Sequence, residues 1–163
     1  MITVVDLSTA SNADVATWLV DLSEDLRPGD YDEIRALSEE TPAVVLVSSV
    51  MLSSQAWMIF DGDVPIAAFG VAPSDDPARG IVWMLGSPKM DLPANAVGIL
   101  RLSRHYKDEM HRTYDTLYNY IDARHTRSLK WLEWCGYQLI EEEPEYGLEA
   151  RPFFLFERHR PHV

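Results

Sequence analysis

Apolar positions along the chain fall into short runs whose period switches between strand-like and helix-like. Ile2–Ser8, "ITVVDLS", is rich in β-branched residues and reads as a first strand. In "SNADVATWLVDLSEDL", Val15, Trp18, Leu19 and Leu22 share one helical face, and Asn12 is placed to cap it. "RPG" then stops that helix, Asp30 is placed to cap a short second one, and Ile34 and Leu37 would bury its face. "PAVVLVSSVMLSSQ" has a strand-like composition, yet Val44, Val47, Val50 and Met51 repeat at helical spacing behind Pro42, so helix is the stronger reading.

The middle of the chain predicts a three-stranded meander. "QAWMIFDGDVPIAAFGVA" holds two apolar runs about Asp61-Gly62, a pair suited to a tight turn needing positive φ. "SDDPARG" makes the next turn, and "IVWMLGS" follows as a strand apolar on both faces, hence central in its sheet. After the proline-containing loop "SPKMDLPA", Asn95 would cap a long helix, Ala96–Thr113, with Ile99, Leu102, Tyr106 and Met110 inward. "DTLYNYIDA" reads as a strand, "HTRSLKWLEWCGY" as a helix ending at Gly136, and "YQLIEE" and "PFFLFERH" as closing strands, with "EEEPEYGLEAR" a loop between them. This order predicts a single α/β domain over 1–163, with a mixed central sheet flanked by helices. The crossover through Ala96–Thr113 is expected to be parallel and right-handed.

Composition narrows the partners. The chain of 163 residues is 47% hydrophobic and 25% charged, with a net charge of −12. An acidic surface of that size repels nucleic acid and anionic membrane, so neither is expected as a partner. The lone Cys135 excludes an intrachain disulfide and a cysteine-based metal site. No metal site is expected from His159 and His162 near the end either. The N-terminal segment lacks the basic and apolar regions of a signal peptide, and a reducing cytosolic setting is expected.

The element order resembles the GNAT (acyl-CoA N-acyltransferase) fold of enzymes that acetylate amines with acetyl-CoA, over nearly the whole chain. In that superfamily an Asn at the last helix is followed by a small residue, then by Gly and an aromatic; His125, Ser128, Gly136 and Tyr137 hold those places. A second resemblance is carried by "LRPGDYDEIRAL", "DGDVPIAAFGVAP", "GIVWMLGS", "NYIDARHTRSLKWLEWCGY" and "PFFLFER" together. These are similar to a family of small GNAT-like proteins from tailed podophages, described as internal virion (core) proteins. That resemblance implies a phage protein found in the host cytoplasm during infection or in the virion, with a virion or host protein as partner.

The GNAT resemblance also implies a cofactor site. Pantetheine would hydrogen-bond the backbone of "IVWMLGS" at Trp83, Met84, Leu85 and Gly86, and the diphosphate would rest on the following helix N-terminus. In "NAVGIL", Asn95, Val97 and Gly98 would form that cradle, although Leu100 replaces its second small residue. His125 either contacts cofactor or substrate or bonds local backbone. The position of the usual proton-donating Tyr is Leu132, which has no proton to give; Tyr118, Tyr120 or Cys135 are the available substitutes, and none is assigned as catalytic. Asp75 and Asp76 read as solvated turn residues. Arg101, Arg104, His105, Lys107 and Arg112 crowd the long helix as a solvated face, or as an attraction for CoA phosphates or an acidic partner. Two function classes therefore stand: a CoA-dependent acetyltransferase acting on a small-molecule or host-protein amine, and a non-catalytic descendant of the fold that binds proteins.

Overall fold

The computed structural model describes residues 1–162. In chain order these form β1 (Ile2–Asp6), α1 (Asn12–Ser23), α2 (Pro28–Leu37), α3 (Pro42–Leu52), β2 (Gln55–Asp61), β3 (Val64–Pro73), β4 (Arg79–Gly86), α4 (Pro93–His111), β5 (Thr116–Asp122), α5 (Thr126–Trp134), β6 (Gln138–Tyr146) and β7 (Arg151–His159). Short 3-10 turns occupy Leu7–Thr9 and Pro88–Asp91. One mixed sheet runs β1-β2-β3-β4-β5-β7-β6, so β4 is central, as its two apolar faces predict.

Strand alternation divides the core into two layers. Trp57, Ile59, Phe69 and Val82 face α4 and α5, whereas Met58, Phe60, Ala68 and Leu85 face α1, α2 and α3. The helical reading of Pro42–Leu52 holds, with Thr41 as its cap. Its fully buried residue is Leu46, however, while Val44 and Met51 of the expected stripe are exposed.

Four local expectations are corrected. Ser11, not Asn12, caps α1: its Oγ accepts from Asp14 N at 3.1 Å, because Asn12 is already helical. "RPG" starts α2 rather than ending α1. Proline suits the first helical position, where its missing N–H costs nothing, so Asp30 lies inside the first turn and Leu37 is left exposed. α4 likewise begins at Pro93, and Asn95 is not its cap; the Asn95 amide instead donates to Asp61 and to Lys89 O. Finally, β6 continues through most of the predicted loop to Tyr146. As the outermost strand it pairs on one side only, which tolerates Pro144 and the register shift between Glu143 and Tyr146.

Gly136 ends α5 as expected. At φ +89° it lets Tyr137 N reach Leu132 O at 3.0 Å, closing the last turn. Gly136→Ala is expected to cost about 1 kcal/mol, read as a lower urea midpoint at unchanged slope.

The feature that positions the candidate site is the single parallel pair. β4 and β5 register only at Arg79↔Thr116, Gly80↔Leu117 and Ile81↔Tyr118. Beyond that point the strands part, while β4 stays paired to β3 as far as Gly86. A V-shaped gap therefore opens between Val82–Gly86 and Asn119–Asp122.

Candidate functional site

The V is lined by backbone whose direction follows from the ladder. Along β4 alternate residues direct both N–H and C=O to the same neighbour. Gly86 points its pair toward the gap, and so by alternation do Met84 and Val82, whereas Leu85 is paired toward Ala68 on β3. At the crotch, Asn119 Nδ2 donates to Val82 O at 2.7 Å. Met84 is left as the β4 residue that presents its backbone to the gap.

The wide end of the V is filled by side chains of the chain itself. Arg27 N donates to Gly86 O at 2.8 Å, and Gly86 N donates to Asp30 Oδ2 at 2.9 Å, so the N-terminus of α2 takes up both backbone groups of Gly86. Asp30 is 1% exposed. Its carboxylate also accepts Arg27 Nε at 2.9 Å, Arg27 Nη2 at 3.1 Å and His125 Nε2 at 2.8 Å. Ser128 Oγ lies 3.1 Å from the same His125 nitrogen. One carboxylate thus ties α2 to the end of β4 and to the start of α5. Burial works to raise the Asp30 carboxyl, but the His125 hydrogen bond and the Arg27 guanidinium outweigh it and hold the group below the ordinary carboxylate range.

At the mouth the same fittings continue. Arg27 Nη1 meets Asp91 Oδ1 at 3.3 Å, and Arg127 Nη1 meets Asp91 Oδ2 at 3.4 Å. Most of the amides that could cradle a diphosphate are used within the loop, Ala94 N excepted: Lys89 N by Ser87 Oγ, Met90 N by Ser87 O, Leu92 N by Lys89 O, and Asn95 N and Ala96 N by Leu92 O. Pro88 and Pro93 have no N–H. The gap suits a slender pantetheine arm, but the residues at its wide end do not fit a diphosphate, because an internal carboxylate already occupies the two nearest guanidinium groups.

On the α1–α3 side of the gap lies a chamber of about 210 Å³ lined by Glu33, Trp83, Tyr120, Tyr146, Ser49 and Asn119 among others. Glu33 Oε1 accepts Asp122 N at 2.8 Å, a second link from α2 across the gap, this time to the end of β5. Burial lifts the Glu33 carboxyl to about 7, with Asp30 adding to the rise and the Asp122 N–H and His125 opposing it. A carboxyl raised above its ordinary 4.5 in the folded state stabilises fully below that value and loses the contribution as pH climbs through about 7. Stability should therefore fall between about pH 5 and 8. Glu33→Gln, which keeps the acceptor for Asp122 N, should abolish the decline in urea unfolding at stepped pH.

The structure brings Met84, Gly86 and His125 to the gap, turns the backbone of Leu85 to β3, and places Asn95, Val97 and Gly98 elsewhere. Asn95 and Gly98 face the β1–β2 edge: a Cβ on Gly98 would meet Ile2 Cγ1 at 3.5 Å. Val97 is 54% exposed on the outer surface. Of the three substitutes for the missing tyrosine, Tyr120 lines the chamber, stacked on Tyr146 at 4.6 Å. Tyr118 lies in the paired part of β5 under the Arg79 guanidinium, and Cys135 is buried between α4 and α5. Arg27, Asp30, Glu33 and Asp91 are the residues that sequence reasoning did not single out for the site. No group of His, Cys, Asp and Glu able to hold a metal occurs among the described residues, and no helix there is long and apolar enough to cross a membrane.

Neither a protein-family model nor a curated protein sequence matches the chain. Solved structures do. The protein yncA of Salmonella typhimurium with its cofactor acetyl-CoA superposes with a TM-score of 0.72 at 11% identity, covering 99% of this chain and 96% of that one. The ribosomal-protein-S18-alanine N-acetyltransferase of Escherichia coli matches with a TM-score of 0.67 at 11% identity, over 100% and 96% of the two chains. A Bacillus subtilis acetyltransferase in complex with CoA matches with a TM-score of 0.66 at 10% identity, over 99% and 100%. At these identities the likeness concerns architecture, and the chain has the GNAT acetyltransferase fold, its β4–β5 split included.

Proposed function

We propose that this is a phage-encoded protein built on a degenerate acetyltransferase fold, which works by binding a virion or host protein and not by acetyl transfer. Asp30 carries this reading. Its four hydrogen bonds span the wide end of the V, where the cofactor's phosphates would have to pass. Leu132 supports it too, since the position implied for a proton donor holds a hydrocarbon. The phage context rests on the five sequence segments that resemble podophage core proteins, and it places the protein in the infected cell or the particle.

A second reading, an acetyl-CoA-dependent N-acetyltransferase acting on a small-molecule or host-protein amine, is favoured by the chamber. Glu33 near neutrality is suited to accept a proton from an ammonium, and Tyr120 stands on the same wall. Two of the similar structures also hold CoA or acetyl-CoA. Thiol release from acetyl-CoA in the presence of polyamines and lysyl peptides separates the two. The binding reading expects no release above buffer and expects the chain in purified particles or in a defined host complex. Turnover lost on Glu33→Gln, with the chain absent from particles, would overturn it.

A further inference from the structure

The sheet is covered unequally. On one face the core beneath α4 and α5 runs from Ile59 of β2 to Phe156 of β7. On the other, the core beneath α1, α2 and α3 draws on β1 to β4 and on no residue of β5, β6 or β7. α2 reaches that half of the sheet where Leu148 N, in the β6–β7 turn, donates to Ala36 O at 2.7 Å, and where Glu33 takes Asp122 N. Tyr118, Tyr120 and Leu155 on this half-face remain partly exposed, and Glu141 is exposed.

Strand register sets the side chains of the half-face in rows. Tyr118 of β5 pairs with Glu157 of β7, and Tyr120 pairs with Leu155, which pairs in turn with Glu141 of β6. Asp122, Phe153 and Glu143 form the next row. Partners across an antiparallel pair share a face. Tyr146 stacks on Tyr120 at 4.6 Å and tilts over Phe153 at 4.9 Å. Burial lifts the Tyr120 hydroxyl above its ordinary range, and Glu143 and Glu141 lift it further, as carboxylates close to that ring must.

The first row is complete in itself. The Arg79 guanidinium lies 4.3 Å from the ring centroid of Tyr118 and donates through Nη2 to Glu157 Oε1 at 2.7 Å. A cation thus rests on a tyrosine and is held by a carboxylate. The second row repeats the tyrosine and the carboxylates without the cation. Among the described residues Glu141 and Glu143 make no ion pair, and the arginines at this end of the sheet are engaged elsewhere, Arg124 with Asp122 and Arg151 with Glu149.

We propose that this half-face docks a basic segment of a partner protein through an arginine side chain, whose guanidinium stacks against the Tyr120–Tyr146 pair and is held by Glu141 and Glu143. Charge complementarity selects a basic occupant over a second copy of this chain, whose net charge is −12. The flat, weakly hydrated guanidinium suits a ring face better than a lysine ammonium does, and its fork of donors can meet two carboxylates. The dock rests on the binding reading above and gives its partner a chemistry.

Fluorescence anisotropy of labelled hexaarginine with the full chain at about 150 mM salt tests it, with hexalysine as the probe of equal charge. Hexaarginine is expected to bind saturably, and hexalysine at least about threefold more weakly, the gain of one stacked guanidinium. Tyr120→Leu should weaken hexaarginine about threefold. Glu141→Gln should do the same. Glu142→Gln makes the same charge change on the neighbouring residue, whose register with Phe154 turns it to the other face, and should leave binding unchanged. Glu141 is exposed, so its variant reads out even where Tyr120→Leu disturbs folding. Absence of saturable hexaarginine binding overturns the dock. So does hexalysine binding as tightly, or Glu142→Gln weakening binding as much as Glu141→Gln, since either would mean attraction to the acidic chain as a whole. A sedimenting mass that falls on Glu141→Gln would give the face to a second copy and overturn the dock too. Failure of the dock and failure of the binding reading stay distinguishable, because the first shows in peptide binding and the second in thiol release from acetyl-CoA.

Discussion

Asp30→Ala is expected to lower stability by about 3–5 kcal/mol, the range for removing one partner of a buried ion pair. The loss has three sources. Arg27, itself buried, keeps only the longer contact to Asp91. His125 Nε2 loses its acceptor at 2.8 Å, and Gly86 N, at the end of β4, loses its own. Chemical denaturation followed by far-UV circular dichroism measures the effect as a shift of midpoint at constant slope. A double replacement, Arg27→Met with Asp30→Leu, should recover much of the loss, because it leaves no orphaned charge behind. A drop below about 1 kcal/mol for Asp30→Ala would mean that the network is solvated, and with it the proposed plug.

Asp91→Ala should create an anion site that the wild-type chain lacks. Asp91 is the counter-ion that Arg27 and Arg127 share at the mouth of the V. Removing it leaves two guanidinium groups facing outward, with Ala96, Leu100 and Ser128 around them. Two charge-assisted contacts of roughly 1.5–3 kcal/mol each place the dissociation constant for inorganic pyrophosphate between roughly 40 μM and 6 mM. Thermal melts with and without pyrophosphate read this directly. The variant should gain stability with ligand concentration, and the wild type should not. Asp30 is untouched in this variant, so the test separates the seat at the mouth from the strut behind it.

These two residues also show what could and could not be read from sequence. The end of α5 was legible because everything that determines it is local: Gly136 supplies the positive φ, and the bond from Tyr137 spans five residues. The parallel pairing of β4 with β5 was expected from the order of elements, since a meander, a crossover helix and a further strand fit few sheet arrangements, whereas their parting is implied only by the resemblance to the GNAT fold. The plug was not legible. Asp30 and His125 are 95 residues apart, and Arg27 and Asp91 are 64 apart, so no local pattern links them. Taken singly, Asp30 resembles a helix cap, Asp91 a loop acid and Arg27 part of a stop signal. Gly98 illustrates the converse case. It holds a glycine position of the superfamily pattern, yet α4 starts three residues earlier than expected, and the helix presents that glycine to Ile2.

Titration of acetyl-CoA into the wild-type chain by isothermal calorimetry is the most direct measurement of whether the V is closed to its cofactor. A plug of Arg27, Asp30, His125 and Asp91 predicts no saturable heat up to about 1 mM ligand. A one-site isotherm with a micromolar dissociation constant would contradict it, because the phosphates would then have displaced an internal carboxylate held by buried partners.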